Sequence, residues 1–259
     1  MQNKFSFGHY DRIIVHTPHA GTLLPIYDHC HPMGRCARGK AIAPLSRQLT
    51  DHYTDELFHA DAPLSVYKLR KIRHISFPYS RLFCDVERLI DDPLEEKGLG
   101  ICYDIERYVD KKPHTWYGAW SMSKEQAMEL YHAHHQSLLL ATGRWDLLLD
   151  CHSFSEQDNI LCPNAHEFKD IDICLGFNED DSKPSDATIS FVADFFRSYG
   201  YLVELNKPFS NAITTGKGHS LMIEVNKHCY MNEDTLAITA GYYKLHSELQ
   251  QLYHLLLNS

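Results

Sequence analysis

Three places in the chain set a chemically able side chain at the end of an apolar run. In IIVHTPHAGTLLP the run gives way to Thr17, Pro18, His19, Ala20 and Gly21; in WDLLLDCHSFS, Leu147–Leu149 lead into Asp150, Cys151 and His152; in LMIEVNKHCYM, Glu224 interrupts the apolar stretch. Ligands of open α/β sheets bind where strands end, so these are the positions to read first. A buried, ionised Glu224 would need a partner. Two histidines and a carboxylate are the commonest protein ligands of a catalytic zinc ion, the fourth position being left for water. His19 and His152 can supply the imidazoles. Spacing alone leaves the carboxylate open among Asp51, Asp55, Glu56, Asp61 and Asp150. Period-two alternation puts Asp150 on the same side of a strand as His152, where it can orient the imidazole. It puts Cys151 on the opposite side, which argues against a cysteine nucleophile paired with His152.

The elements that must position these residues alternate between short apolar runs and longer helical patterns. Arg12 to Val15 reads as a strand, Ala43 to His59 as a helix and Leu64 to Leu69 as a strand. Further strands are expected at Arg81 to Asp85, Trp145 to Asp150, Tyr201 to Leu205 and Leu221 to Val225, the last two apolar enough for burial on both faces. Ser123 with Gln126 has the form of a capping box opening a helix that runs from Lys124 to Gly143. Pro184 to Tyr199 and Asp234 to Leu257 are amphipathic, the latter with Leu245, Leu249, Leu252 and Leu256 on one stripe. Asp91 to Trp120 is polar, aromatic and poorly periodic, and reads as a long irregular insertion over one end of the sheet. The expectation is an α/β fold, a single domain over residues 1–259 with a central mixed β-sheet flanked by helices.

Composition sets outer limits. Of 259 residues, 44% are hydrophobic and 12% aromatic, ample for a packed interior. A net charge of -9 disfavours broad binding to nucleic acid or anionic membranes, although a small basic pocket can persist within an acidic whole. No apolar run approaches the roughly 18 residues of a membrane helix, and the first residues lack the pattern of an export signal, so a cytoplasmic protein is expected. The eight cysteines form no CxxC pair and read as reduced, mostly buried thiols. Most of the 18 histidines, including the cluster His132, His134 and His135, read as packing or surface residues.

The segments TPHAGTLLP, TDHYTDEL, SRLFCDVER, LLLDCHS and MIEVNKHCYM occur in the order found in the N-formylglutamate amidohydrolase family, and together they span nearly the whole chain, from Thr17 to Met231. This resemblance implies a hydrolase/phosphorylase-like fold, distantly related to zinc carboxypeptidases. It implies metal ligation by His19, Asp51 and His152, with Zn2+ as the ion or another divalent metal in its place, and Glu224 as general base. It also implies substrate contacts from Arg81 and Arg88, arginine being suited to grip a carboxylate by two parallel hydrogen bonds. Asn226, two residues beyond Glu224, is expected to face the substrate as well. Asp150 and His135 would stand behind the ligands. The implied substrate is a small N-acyl amino acid bearing a carboxylate, N-formyl-L-glutamate first. The chain departs from the family pattern at TPHAG, at DVER and at Lys227, none of which is an implied ligand.

Overall fold

The computed structural model describes residues 10–25, 37–61, 64–108, 121–158, 160–162 and 164–258, with backbone only for 37–41 and for Glu106. Cys30, Cys36 and the last part of the expected insertion, 109–120, lie outside the described residues. The described chain divides into two compact units. One holds the residues up to Thr17, His52–Ile75 and those from Leu138 onward; the other holds Pro18–Asp51 and Ser76–Ser137.

The first unit is built on a six-stranded sheet. Its strands are β1 (Ile13–Thr17), β2 (Ile72–Ser76), β3 (Leu147–Phe154), β4 (Ile173–Gly176), β5 (Val203–Leu205) and β6 (His219–Asn226), in the order β2-β1-β3-β6-β4-β5. The pairs β1/β3, β3/β6 and β4/β5 are parallel, and β4 runs antiparallel to β6. The sheet is therefore mixed, as expected. Residues of β1 and β3 are buried throughout, because both faces are covered. Ile13, Val15, Leu147 and Leu149 point into a core shared with the helices α5 (Asp186–Ser198) and α6 (Ala240–Leu256). The alternate residues Ile14 and Leu148 join Ile75, Leu138, Ala141 and Ile213 in a second cluster. Leu245, Leu249, Leu252 and Leu256 are fully buried along α6, each stabilising the fold by roughly 1.5–3 kcal/mol.

Several boundaries differ from expectation for local reasons. The segment Ala43 to His59 is two helices, α1 (Ala37–Leu49) and α2 (Thr54–Leu57), separated at Tyr53, whose φ of 65° cannot continue a helix. Leu64 to Leu69 is not a strand. Ser65 Oγ accepts the Lys68 N–H and caps the short helix α3 (Val66–Leu69), and the strand follows as β2. Tyr201 to Leu205 shortens to β5, an edge strand with only Val203 buried, because β4 alone pairs with it. The four residues of β4 carry too short a pattern to read. The last helix starts late: Asn232 Oδ1 accepts the Thr235 N–H and hydroxyl, and that turn joins β7 (Met231–Asn232) to β8 (Ala237–Ile238) before α6 begins.

In the second unit, the expected strand at Arg81 to Asp85 is a turn in which the Phe83 and Cys84 N–H groups both donate to Ser80 O. Phe77, Phe83, Cys84, Val86, Ile101, Ala127 and Tyr131 pack as its core. Short 3-10 turns at Pro93–Lys97 and Ile105–Arg107 punctuate the irregular segment. Helix α4 (Lys124–Ala141), whose residues up to Ser137 belong to this unit, opens with both bonds of the capping box: Ser123 N–H to Gln126 Oε1 at 2.9 Å and Gln126 N–H to Ser123 Oγ at 3.3 Å.

Candidate active site

In the first unit, four polar side chains share one side of the parallel strands near their C-terminal ends. His16 of β1 lies directly across from Asp150 of β3, and His152 of β3 directly across from Glu224 of β6. Asp150 Oδ1 takes His16 Nδ1 at 2.8 Å and His152 Nε2 at 3.0 Å, while Oδ2 accepts the Ile213 N–H at 2.9 Å. Burial works against a charge on Asp150, but the His152 and His16 imidazoles outweigh it and hold the carboxyl well below the usual carboxylate range. An ionised carboxylate only accepts, so both imidazole nitrogens facing it must carry the proton. Glu224 is buried at 8% exposure on the middle strand of the trio β3, β6 and β4.

In the second unit, Asp85 plays the corresponding part for His19. His19 Nε2 lies 2.8 Å from Asp85 Oδ1, which also accepts the Glu87 N–H. Asp85 Oδ2 receives Arg81 through Nε and a terminal nitrogen, at 3.2 and 2.9 Å, and the Tyr103 hydroxyl at 2.7 Å. Burial again opposes the charge, and Arg81, His19 and Arg88 overcome it, so the carboxyl is held far below its ordinary value. His19 must donate to it from Nε2, the ring nitrogen across from Nδ1. That Nδ1 lies 3.6 Å from Asp51 Oδ2. Asp51 is fixed beside it by its own N–H to His19 O, at 3.1 Å, directly after α1. Asp55, Glu56 and Asp61, the rival carboxylates, are exposed, and Asp150 is already engaged by two imidazoles.

The loop bearing His19 owes its path to Gly21 by close approach rather than by a turn conformation. A Cβ there would meet Phe77 O at 2.3 Å and Pro78 C at 2.5 Å. The Leu23 N–H to Pro78 O and Ser80 N–H to Leu23 O bonds hold the two segments at that spacing.

The remaining expected residues have definite places. Arg81 is buried and spends Nε and one terminal nitrogen on Asp85, so its ion pair is an interior one rather than a surface pair. Arg88 Nε stands 3.5 Å from Asp85 Oδ2, and this buried N–H has no hydrogen-bond partner. His135 Nε2 contacts Val86 O at 2.8 Å and packs on Tyr131, bracing the segment that carries Asp85. Asn226, expected on the substrate side with Glu224, is fully buried, donates to Ile171 O and accepts the His228 N–H. Cys151 is enclosed in the apolar core, where burial pushes its thiol far up, away from nucleophile chemistry. Sequence reasoning missed His16, although a histidine inside IIVHT is the same kind of interruption that drew attention to Glu224. It also gave Asp85 no part in the site.

Each unit thus presents a buried imidazole whose Nε2 is anchored to a carboxylate, the way carboxylate-oriented metal ligands are held. A family model described as N-formylglutamate amidohydrolase matches residues 11–231. The chain belongs to this family. Among solved structures, the N-formylglutamate amidohydrolase of Ralstonia eutropha is similar over 97% of this chain and 94% of its own, with a TM-score of 0.61 and 17% identity. A gene product of Agrobacterium tumefaciens is similar over 97% and 92%, with a TM-score of 0.56 and 14% identity. At such identities the likeness speaks for the fold, and it confirms the α/β architecture with a mixed central sheet for this N-formylglutamate amidohydrolase family member. No curated protein sequence matches the chain. Among the described residues, no helix is long and apolar enough to cross a membrane.

Proposed function

We propose that the protein hydrolyses the amide bond of an N-acyl amino acid, with N-formyl-L-glutamate as the first candidate and formate and L-glutamate as products. The ligands of a single divalent ion would be His19, Asp51 and His152, with zinc the first choice and other divalent metals alternatives. The observation that carries this reading is the carboxylate that stands behind each imidazole. His19 and His152 both give Nε2 to a buried, ionised carboxylate, and His19 Nδ1 stands at 3.6 Å from Asp51 Oδ2. Tetrahedral ligands at about 2.0–2.1 Å from an ion lie about 3.3 Å apart, so that pair needs only a small adjustment. An ion bound there supplies Lewis acidity, polarising a carbonyl and acidifying a water.

Glu224 is the proposed base: it takes a proton from the attacking water and returns it to the leaving amine. Its position across from His152 on the neighbouring strand supports this role. Arg88, less tightly engaged by Asp85 than Arg81 is, is the better candidate to grip the substrate carboxylate; Arg81 instead positions Asp85 and, through it, His19. Asn226 is not among the proposed contacts, because its amide is spent on backbone groups.

Chelation should abolish formate release from N-formyl-L-glutamate, and zinc should restore it; activity indifferent to both steps overturns the metal reading. His152→Ala should lose the ion, whereas Glu224→Gln should keep it and lose most turnover. A panel of N-acyl amino acids ranks the acyl group, and metal retained with no hydrolysis of any member would point to a carboxylate-binding homologue instead.

A further inference from the structure

The segment MIEVNKHCYM contains two residues, His228 and Cys229, that the proposed reaction does not use. We propose that they form, with Asp172, a second site for a divalent transition metal of the zinc class, separate from the catalytic one. One ligand atom from each residue, a His228 ring nitrogen, Cys229 Sγ and an Asp172 carboxylate oxygen, can be chosen so that all lie within 4.8 Å of one another. Asp172 Oδ1 is 2.9 Å from His228 Nε2 and 3.5 Å from Cys229 Sγ. Tetrahedral zinc, with bonds of about 2.0–2.1 Å to N and O and about 2.3 Å to S, places nitrogen and oxygen about 3.3 Å apart and sulfur and oxygen about 3.6 Å apart. The sulfur already stands at that spacing, and the imidazole has to swing back by a few tenths of an ångström.

The three donors are held in place by the fold rather than gathered by chance on a loose loop. Asp172 Oδ2 accepts the Leu202 N–H at 2.8 Å, and Asp172 O accepts the Asn226 N–H at 2.8 Å. Asn226 Oδ1 caps the 3-10 turn Lys227–Cys229 that carries the other two ligands, while its Nδ2 donates to Ile171 O. The burial of Asn226 thereby acquires a purpose: one amide ties the segment that enters β4 to the His-Cys turn. Lys244, the nearby cation, is drawn to Glu248 Oε1 at 3.5 Å and over the Tyr201 ring. The His228 side chain is 42% exposed, leaving a coordination position for water and a route for the ion. A Cys-His-Asp set suits zinc, cobalt or cadmium and not magnesium or calcium, which take oxygen ligands. Binding requires the imidazole to carry its proton on Nδ1 and the thiol to give its proton up, so one proton leaves per ion bound.

The test is a cobalt titration of the metal-stripped full chain, reading equivalents bound and the near-ultraviolet sulfur-to-cobalt charge-transfer band. The catalytic set proposed above has no sulfur, so the band reports this site alone. The wild type should bind two equivalents, one of them with the band. Cys229→Ser should remove the band and one equivalent while formate release stays unchanged, and the more exposed His228→Gln should weaken that equivalent at least tenfold. A band or a second equivalent that survives Cys229→Ser overturns the proposal, as does a wild type that never shows one. His152→Ala separates the two readings: it should remove the equivalent without the band, and if it removes neither, the catalytic assignment fails while this one stands.

Discussion

Asp150 and Asp85 perform the same task in two settings, and the settings demand different partners. Asp150 sits on a strand inside a sheet. The pleat aims it at His152 two residues on, the register puts His16 directly across, and two imidazoles with one backbone amide suffice to hold its charge. Asp85 sits in a turn with no ladder to orient it. Its place is made by side chains: two contacts from Arg81, the Tyr103 hydroxyl, the nearby Arg88, the Glu87 amide and His19 itself. A sheet supplies position through the backbone, whereas a loop has to assemble it from a charged network whose members depend on one another.

Removing the carboxylates in turn should expose this difference. Asp85→Ala leaves the buried Arg81 guanidinium without its counter-charge, a loss of about 3–5 kcal/mol in chemical unfolding. Asp150→Ala removes the acceptor shared by two imidazoles and one backbone amide, with no guanidinium left behind, and should cost less, about 1–3 kcal/mol. Equal losses would mean that the guanidinium network contributes nothing beyond a hydrogen bond.

The isosteric change Asp150→Asn separates stability from chemistry. An amide can present its NH2 to His152 Nε2 instead of accepting from it, which reverses the polarity of that contact. Metal affinity or turnover should fall about 10–100-fold with the unfolding midpoint little changed. The same substitution paired with His16→Gln should add little to that loss, because His16 acts through Asp150. An independent, additive loss would place His16 in direct contact with the reacting groups.

The legibility of the two settings in the sequence follows the same division. LLLDCHS announces its strand and the side its polar residues share, because alternation is a local rule, and the roles of Asp150 and His152 could be proposed from it. IIVHT obeys the same rule, yet its histidine lies within the run rather than at its end, and only register reveals that it meets Asp150. SRLFCDVER has no comparable code: Leu82, Phe83 and Cys84 suggest a strand, whereas Ser80 O captures the following amides and makes a turn. The function of Asp85 depends on Tyr103 and His19, 18 and 66 residues away in sequence, and no local pattern carries such contacts. Asp51 was named through the family resemblance; structurally it stands apart from Asp55, Glu56 and Asp61 by burial, which spacing does not encode.

His74 offers a third imidazole that sharpens the comparison by reversing its sign. His16, His19 and His152 donate to carboxylates, but His74 Nε2 accepts the Ala60 N–H at 3.2 Å, and its ring stacks on His59 at 4.4 Å. Burial, with His59 beside it, lowers its pKa from 6.5 to about 4. The folded protein therefore refuses a proton that the unfolded chain accepts between those values, so this contribution is full above pH 6.5 and is lost as pH falls towards about 4. From pH 6.5 to pH 5.5 the loss amounts to about 1 kcal/mol. His74→Gln keeps an acceptor for Ala60 and removes the titration, so the unfolding free energy of the variant should fall less over that interval than that of the wild type. Identical slopes for the two proteins would mean that His74 takes up its proton as readily in the folded state as in the unfolded one, and that the Ala60 amide does not depend on its lone pair.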